Sequence, residues 1–217
     1  ERLPALKVRG VYGDQAGRTW ELIPATQEQP TLLVFLHQRT RPVFGMARTL
    51  MTYVAQRKDD KLTGGVVWLT DDATETENWL RQVERNFPKT QRMPVAFSPD
   101  GIEGPGSYGL NRNVAMTILV ADKNRVTANF ALVQPSLQAD FPKIIKAVVA
   151  VAGGEMPKLS DLEANARQRR MARRSAEADA PPGSPEGDAQ PRRPAEADAP
   201  RRSAEGDASR RRSAERD

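Results

Sequence analysis

Thr31 to Leu36, TLLVFL, is an uninterrupted apolar run of strand length, rich in branched and aromatic residues. A run of this kind reads as a strand buried on both faces. From Val43 the period changes: Val43, Met46, Ala47, Leu50, Met51 and Val54 follow the i, i+3, i+4, i+7 ladder of an amphipathic helix. Lys61 to Gly65 closes the connection and Val66 to Leu69 supplies a second buried strand, so residues 31–69 read as a βαβ unit. Upstream, Leu6 to Val11 and Thr19 to Ile23 are strand-like runs separated by Gly13, Asp14 and Gly17. They predict a hairpin that caps one edge or end of the main sheet.

Downstream, Asp72 followed by Glu75 has the form of a capping box, and Trp79, Leu80, Val83 and Phe87 mark one face of a second helix stopped by Pro88. Pro94 to Phe97 is a short run flanked by prolines, suited to a sheet edge or a β-extension. Ser98 to Asn113 is rich in glycine and proline and long for a connection inside a compact domain. Thr117 to Ala121 and Val126 to Val133 read as antiparallel strands joined by the tight turn Asp122 to Arg125. Phe141, Ile144, Ile145, Val148 and Ala152 then form the face of a last helix, with Pro142 in its first turn and Gly153-Gly154 at its end.

Beyond about Leu162 aromatic and branched residues disappear, and from Arg173 a motif recurs: RRSAEADAP, GSPEGDAQ, RRPAEADAP, RRSAEGDAS, RRSAERD. Such a segment has no apolar face to offset the entropy of ordering. The expected organisation is therefore a folded domain over residues 1–157 and a disordered Arg/Ala/Glu/Asp/Pro tail over 158–217, with a helix extension near Ala164 to Ala178. The net charge of +5 is too weak a basic excess to call for nucleic acid. The chain has no cysteine, which removes disulfides, thiolate metal sites and cysteine nucleophiles. No window is apolar for long enough to cross a membrane. The start at Glu1 is compatible with a removed secretory signal, and a location outside the cytoplasm is expected on that ground.

The order of elements, with TLLVFL, RPVF, GVVWLTDD and YGLNRNVAMTILVADKNRV as its landmarks, resembles the thioredoxin superfamily, in its redoxin and alkyl-hydroperoxide-reductase-like branch. The resemblance implies an α/β thioredoxin-like fold: a central mixed sheet flanked by helices, with an N-terminal β-hairpin. It also implies a thiol site that this chain lacks. RPVF stands where that branch carries Cys-Pro-x-Cys or Cys-Pro-x-x, so the resemblance puts Arg41 at the place of the attacking cysteine and Phe44 where a resolving one could be. Val114 to Thr117 occupies the place of the family's cis-proline. A cis bond before Ala or Met costs about 2.5–4 kcal/mol, so trans bonds are expected there. Peroxiredoxin-type catalysis uses a threonine just before the cysteine and an arginine across the pocket; Thr40 and Arg112 lie near those places without matching their register.

What remains at this strand end is cationic. His37, Arg39, Thr40, Arg41 and Arg112, with the free N–H groups of the helix start, are candidates for a carboxylate or phosphate pocket. The alternative is that the arginines are solvated or pair with Asp71, Asp72, Asp100 or Glu103. His37, the only histidine, could act as an acid or base near neutrality, or serve as a hydrogen-bonded structural residue. With one histidine and no cysteine there is no metal-ligand set, and no cofactor motif is present: Gly101 to Gly109 has neither P-loop nor dinucleotide form. That segment is either a turn packed by Ile102 and Tyr108 or a wall of the Arg41 pocket. Two functions are consistent with this inventory: a binding or scaffolding module without thiol redox activity, for a protein or an anionic small molecule, and a cysteine-independent enzyme using His37 with Arg39/Arg41 on a small acidic or phosphorylated substrate. A third places the function in the tail, with the fold presenting it.

Overall fold

Every strand expected from the hydrophobic pattern enters one seven-stranded mixed sheet. The computed structural model describes residues 1–57, 61–88 and 90–164, together with Gln168 and Met171. Its strands are β1 (Leu6–Gly10), β2 (Thr19–Ile23), β3 (Thr31–Leu36), β4 (Thr63–Trp68), β5 (Val95–Phe97), β6 (Met116–Asp122) and β7 (Arg125–Leu132), in the spatial order β2-β1-β5-β4-β3-β6-β7. β3 runs parallel to β4 and β4 to β5, whereas β6 and β7, like the β1-β2 hairpin, are antiparallel to their neighbours. The helices are α1 (Arg41–Gln56), α2 (Ala73–Val83) and α3 (Phe141–Ala152).

All six residues of β3 are buried, as a central strand between two apolar layers requires. Leu32, Val34 and Leu36 face the layer formed by Val43, Met46 and Leu50 of α1 and Phe141, Ile144 and Val148 of α3. Leu33 and Phe35 belong to the second layer, with Leu6, Ile23, Val67 and Leu119. There the glycine-rich segment takes a structural role: Tyr108 meets the Phe35 ring edge-on at 5.2 Å and its hydroxyl donates to the Pro4 carbonyl at 2.6 Å. Ile102, expected to pack with it, is instead 39% exposed, because Gly101 and Gly104 turn the chain outward with positive φ before Tyr108 returns it to the sheet.

Two further corrections follow from backbone geometry. β4 begins at Thr63, taking in the glycines expected to lie in the connection, because Gly64 pairs with Leu32 at a separation that admits no side chain. β5 is not an edge but the third of the seven strands, since Pro94 precedes it and uses its carbonyl to accept from Val66 N–H at 2.9 Å. The missing proline N–H therefore falls outside the ladder. The β6-β7 turn places Lys123 and Asn124 at positive φ, the geometry of a two-residue hairpin turn.

Residues 159–164 are helical and carry Leu162 into the helical-side core, past the expected boundary at 157. The described residues fall within one compact unit. The repeats from Arg173, and with them the expected disorder of the tail, lie outside the described residues.

Candidate functional site

β3 delivers His37 to the start of α1, where the backbone N–H groups of His37 and Gln38 both donate to the Ala115 carbonyl, at 3.0 and 3.3 Å. The segment before β6 is thereby tied to the strand end, and no peptide bond among the described residues is cis. Thr40 is the N-cap of α1, but its side chain makes no capping hydrogen bond; Pro42 occupies the first turn, where its missing N–H costs nothing.

The five candidate residues do not converge. Arg39 is turned onto α2, with its two terminal nitrogens donating to the Glu75 carboxylate at 2.6 and 3.1 Å and one of them also to Thr76 Oγ1 at 2.7 Å. Its guanidinium carbon lies 4.7 Å from the centre of the Trp79 ring. A fork–fork pair stacked on an indole is a satisfied arrangement, and it leaves Arg39 little capacity for a ligand. Arg112 is paired with Glu103 at 2.8 Å in the open. Arg41 and Thr40 are exposed, and the Arg41 side chain has no partner among the described residues.

Of the acidic residues considered as arginine partners, Asp71 and Asp72 bind backbone N–H groups instead. Asp72 Oδ1 accepts from the Glu75 N–H at 2.8 Å and so caps α2. The reciprocal half of a capping box is absent because the Glu75 carboxylate faces Arg39. Asp71 Oδ1 accepts from the Ile102 N–H at 3.0 Å. Among the described residues no cluster of three or more acidic, histidine or cysteine side chains could hold a metal ion, and no helix is long and apolar enough to cross a membrane.

His37 is half-buried, its Nε2 3.1 Å from Thr117 Oγ1 and its Nδ1 buried without a partner. Burial holds the imidazole below its ordinary value of 6.5. The ring is therefore neutral at pH 7 and adds no charge to an anion pocket. In the unfolded chain the same ring protonates near 6.5, so the stability it contributes is complete above that pH and is lost as the pH falls through the depressed folded value. The midpoint of urea unfolding should accordingly fall further between pH 7 and pH 5 in the wild type than in His37→Asn. Equal falls in the two proteins would show that this histidine is not coupled to folding.

Phe44 is the centre of an aromatic cluster that the spacing of single elements did not reveal. Phe44, in the first turn of α1, has ring centroids of Trp68, Trp79 and Phe87 at 5.7, 5.2 and 5.4 Å, and the two indoles lie 4.8 Å apart. The sequence signal was present in Trp79 and Phe87 on one predicted face, but their convergence on Phe44 depends on the placement of α2 over the end of β4.

No protein-family model matches the chain, and no curated protein matches it. Solved structures do: a protein of Chlorobium tepidum named as a thiol:disulfide interchange protein of the DsbE type aligns over 69% of this chain and 96% of its own, with 20% identity and a TM-score of 0.51. The chain has a thioredoxin-like fold. Also similar are peroxidoxin BcpB of Mycobacterium tuberculosis, with TM-score 0.49 and 15% identity over 70% of this chain and 96% of that one, and a secreted disulfide oxidoreductase of the same organism, with TM-score 0.46 and 14% identity over 67% and 95%. On this thioredoxin-like fold, the α1 start carries Arg41 and Phe44 and the whole chain carries no thiol.

Proposed function

We propose that this chain is a binding or scaffolding module on a thioredoxin-like fold, with recognition centred on Arg41 and directed at an anionic group of a protein or small molecule. The observation that carries the reading is the contrast among the cations of the site. Arg39 and Arg112 are neutralised by Glu75 and Glu103, and His37 is uncharged, whereas Arg41 is exposed and without a side-chain partner among the described residues, at the positive end of a 16-residue helix. The five-residue pocket expected from the sequence is thus reduced to one cation and the N–H groups beside it. Disulfide exchange has no place in the function, because its nucleophile is missing.

The test is a titration of the full chain with inorganic phosphate and with glutarate, followed by the amide resonances of residues 37–44. Arg41→Glu should weaken binding by about tenfold or more, as loss of a charge-assisted contact implies. Arg112→Glu should stay within about twofold, since its charge is already paired. Binding that survives Arg41→Glu unchanged, or no binding by the wild type, would overturn the reading.

A further inference from the structure

β7, with eight residues the longest strand of the sheet, stands at the end of the strand order and pairs along its length only with β6 among the described residues. The Ala115 N–H donates to the Leu132 carbonyl at 2.8 Å, so Leu132 turns its backbone toward β6. By the alternation of an antiparallel ladder Phe130 and Ala128 do the same, whereas Asn129 and Ala131 aim their N–H and C=O groups away from the sheet, where they have no partner among the described residues. The start of the strand is already covered. There the Glu1 carbonyl accepts from the Val126 N–H at 2.9 Å, and Arg2 forms an antiparallel bridge with Arg125. The geometry of this edge therefore admits an added strand, and its open part is Ala128 to Leu132.

That open part lacks the features that keep an edge from pairing. β7 holds no proline and a single charge, Arg125, and its one irregularity, the extra residue Thr127, also lies before the open part. Ala128, Phe130 and Leu132 are only half-buried against the α3 side of the core, and Val133, which follows the strand, is 64% exposed. β2, at the opposite edge, is shorter and carries an exposed Glu21 at its centre, so two copies meeting there would oppose like charges. The Arg/Ala/Glu/Asp/Pro repeats from Arg173 are poor in strand formers, whereas β7 offers Val126, Thr127 and Phe130. The sequence best suited to pair with β7 is β7 itself.

We propose that the β7 edge binds a second copy of this chain, the two β7 strands running antiparallel about a two-fold axis at Phe130, so that one sheet continues across the interface. In this register Asn129 lies opposite the partner's Ala131, which joins outward-facing backbone groups on both sides, and the pairing stops short of Glu1 to Leu3. Phe130 meets the partner's Phe130 on the face shared with α3, and no like charges stand opposite each other in the open part. The proposal uses no residue of the Arg41 reading.

Sedimentation equilibrium of the full chain from about 10 µM to about 1 mM should show a monomer–dimer equilibrium, and amide hydrogen exchange at Asn129 and Ala131 should slow as the concentration rises. Two double variants put charge at these exposed positions: Asn129→Lys with Ala131→Lys, and Asn129→Glu with Ala131→Glu. Each alone sets like charges opposite one another and should weaken association by about tenfold or more. An equimolar mixture of the two sets opposite charges together and should dimerise again. A full chain that stays monomeric at about 1 mM would overturn the proposal, as would protection of the two amides that ignores concentration, the sign of another part of the same chain lying on the edge. So would double variants that associate as the wild type does, or a mixture that stays monomeric.

Discussion

Gly64→Ala is expected to destabilise the fold by about 3 kcal/mol, the upper range for forcing extra volume into a packed interior, and to lower Tm by roughly 10 °C for a domain of this size. The cause is backbone proximity. A Cβ at residue 64 would overlap the Leu32 carbonyl oxygen and lie 2.7 Å from its carbon, so β3 and β4 would have to separate where they pair in the centre of the sheet. A flexible side chain could move aside, but a strand hydrogen-bonded on both edges cannot. Gly64 also donates its N–H to the Arg92 carbonyl at 3.0 Å, so displacement would disturb both neighbours. Gly106→Ala is the control, because a Cβ there meets nothing within 4 Å and the residue is not at positive φ. Thermal unfolding of the two variants beside the wild type checks the claim, and a Gly64→Ala Tm within about 2 °C of wild type would refute it.

The same residue shows where sequence reading stops. Hydrophobic period located β2, β3 and α3 to the residue, because those elements are bounded by turn or helix-stop residues and their burial is simple: β3 covered on both faces, α3 on one. Gly64 and Gly65 look like punctuation in a sequence, and only their pairing with Leu32 and Leu33 reveals them as strand residues. The interior place of β5 was hidden for a related reason, since Pro94 signals an edge unless it is known to precede the ladder. At the site, the absence of any thiol is plain in the sequence, and Glu103 was among the four acidic residues open as partners for the arginines, of which it pairs with Arg112. The partner of Arg39 was not. In the sequence Glu75 reads as part of the cap of its own helix, and the competition between a backbone N–H and a guanidinium is decided by the approach of two elements distant in the chain.

Phe44→Ala should cost about 3 kcal/mol, the lower range for removing a packed aromatic ring, even though Phe44 is only partly buried. Its ring is shared by three others, which join the first turn of α1 to the end of β4, to α2 and to the segment after α2. Edge-on and tilted ring contacts add to the apolar area removed from water, and no single neighbour can fill the space left between Trp68, Trp79 and Phe87. Phe44→Leu, which keeps most of the volume, should cost about 1 kcal/mol. Urea unfolding at pH 7 measures both, and near-ultraviolet circular dichroism should report the altered setting of the two indoles. A loss below about 1 kcal/mol for Phe44→Ala would mean that the cluster does not hold the helix start. The larger loss would show that Phe44 holds α1 to the sheet, and that Arg41 sits on a platform fixed by packing. A cysteine at position 44 would then forfeit most of the same ring contacts as alanine, so placing a thiol at this site would weaken the fold that has to present it.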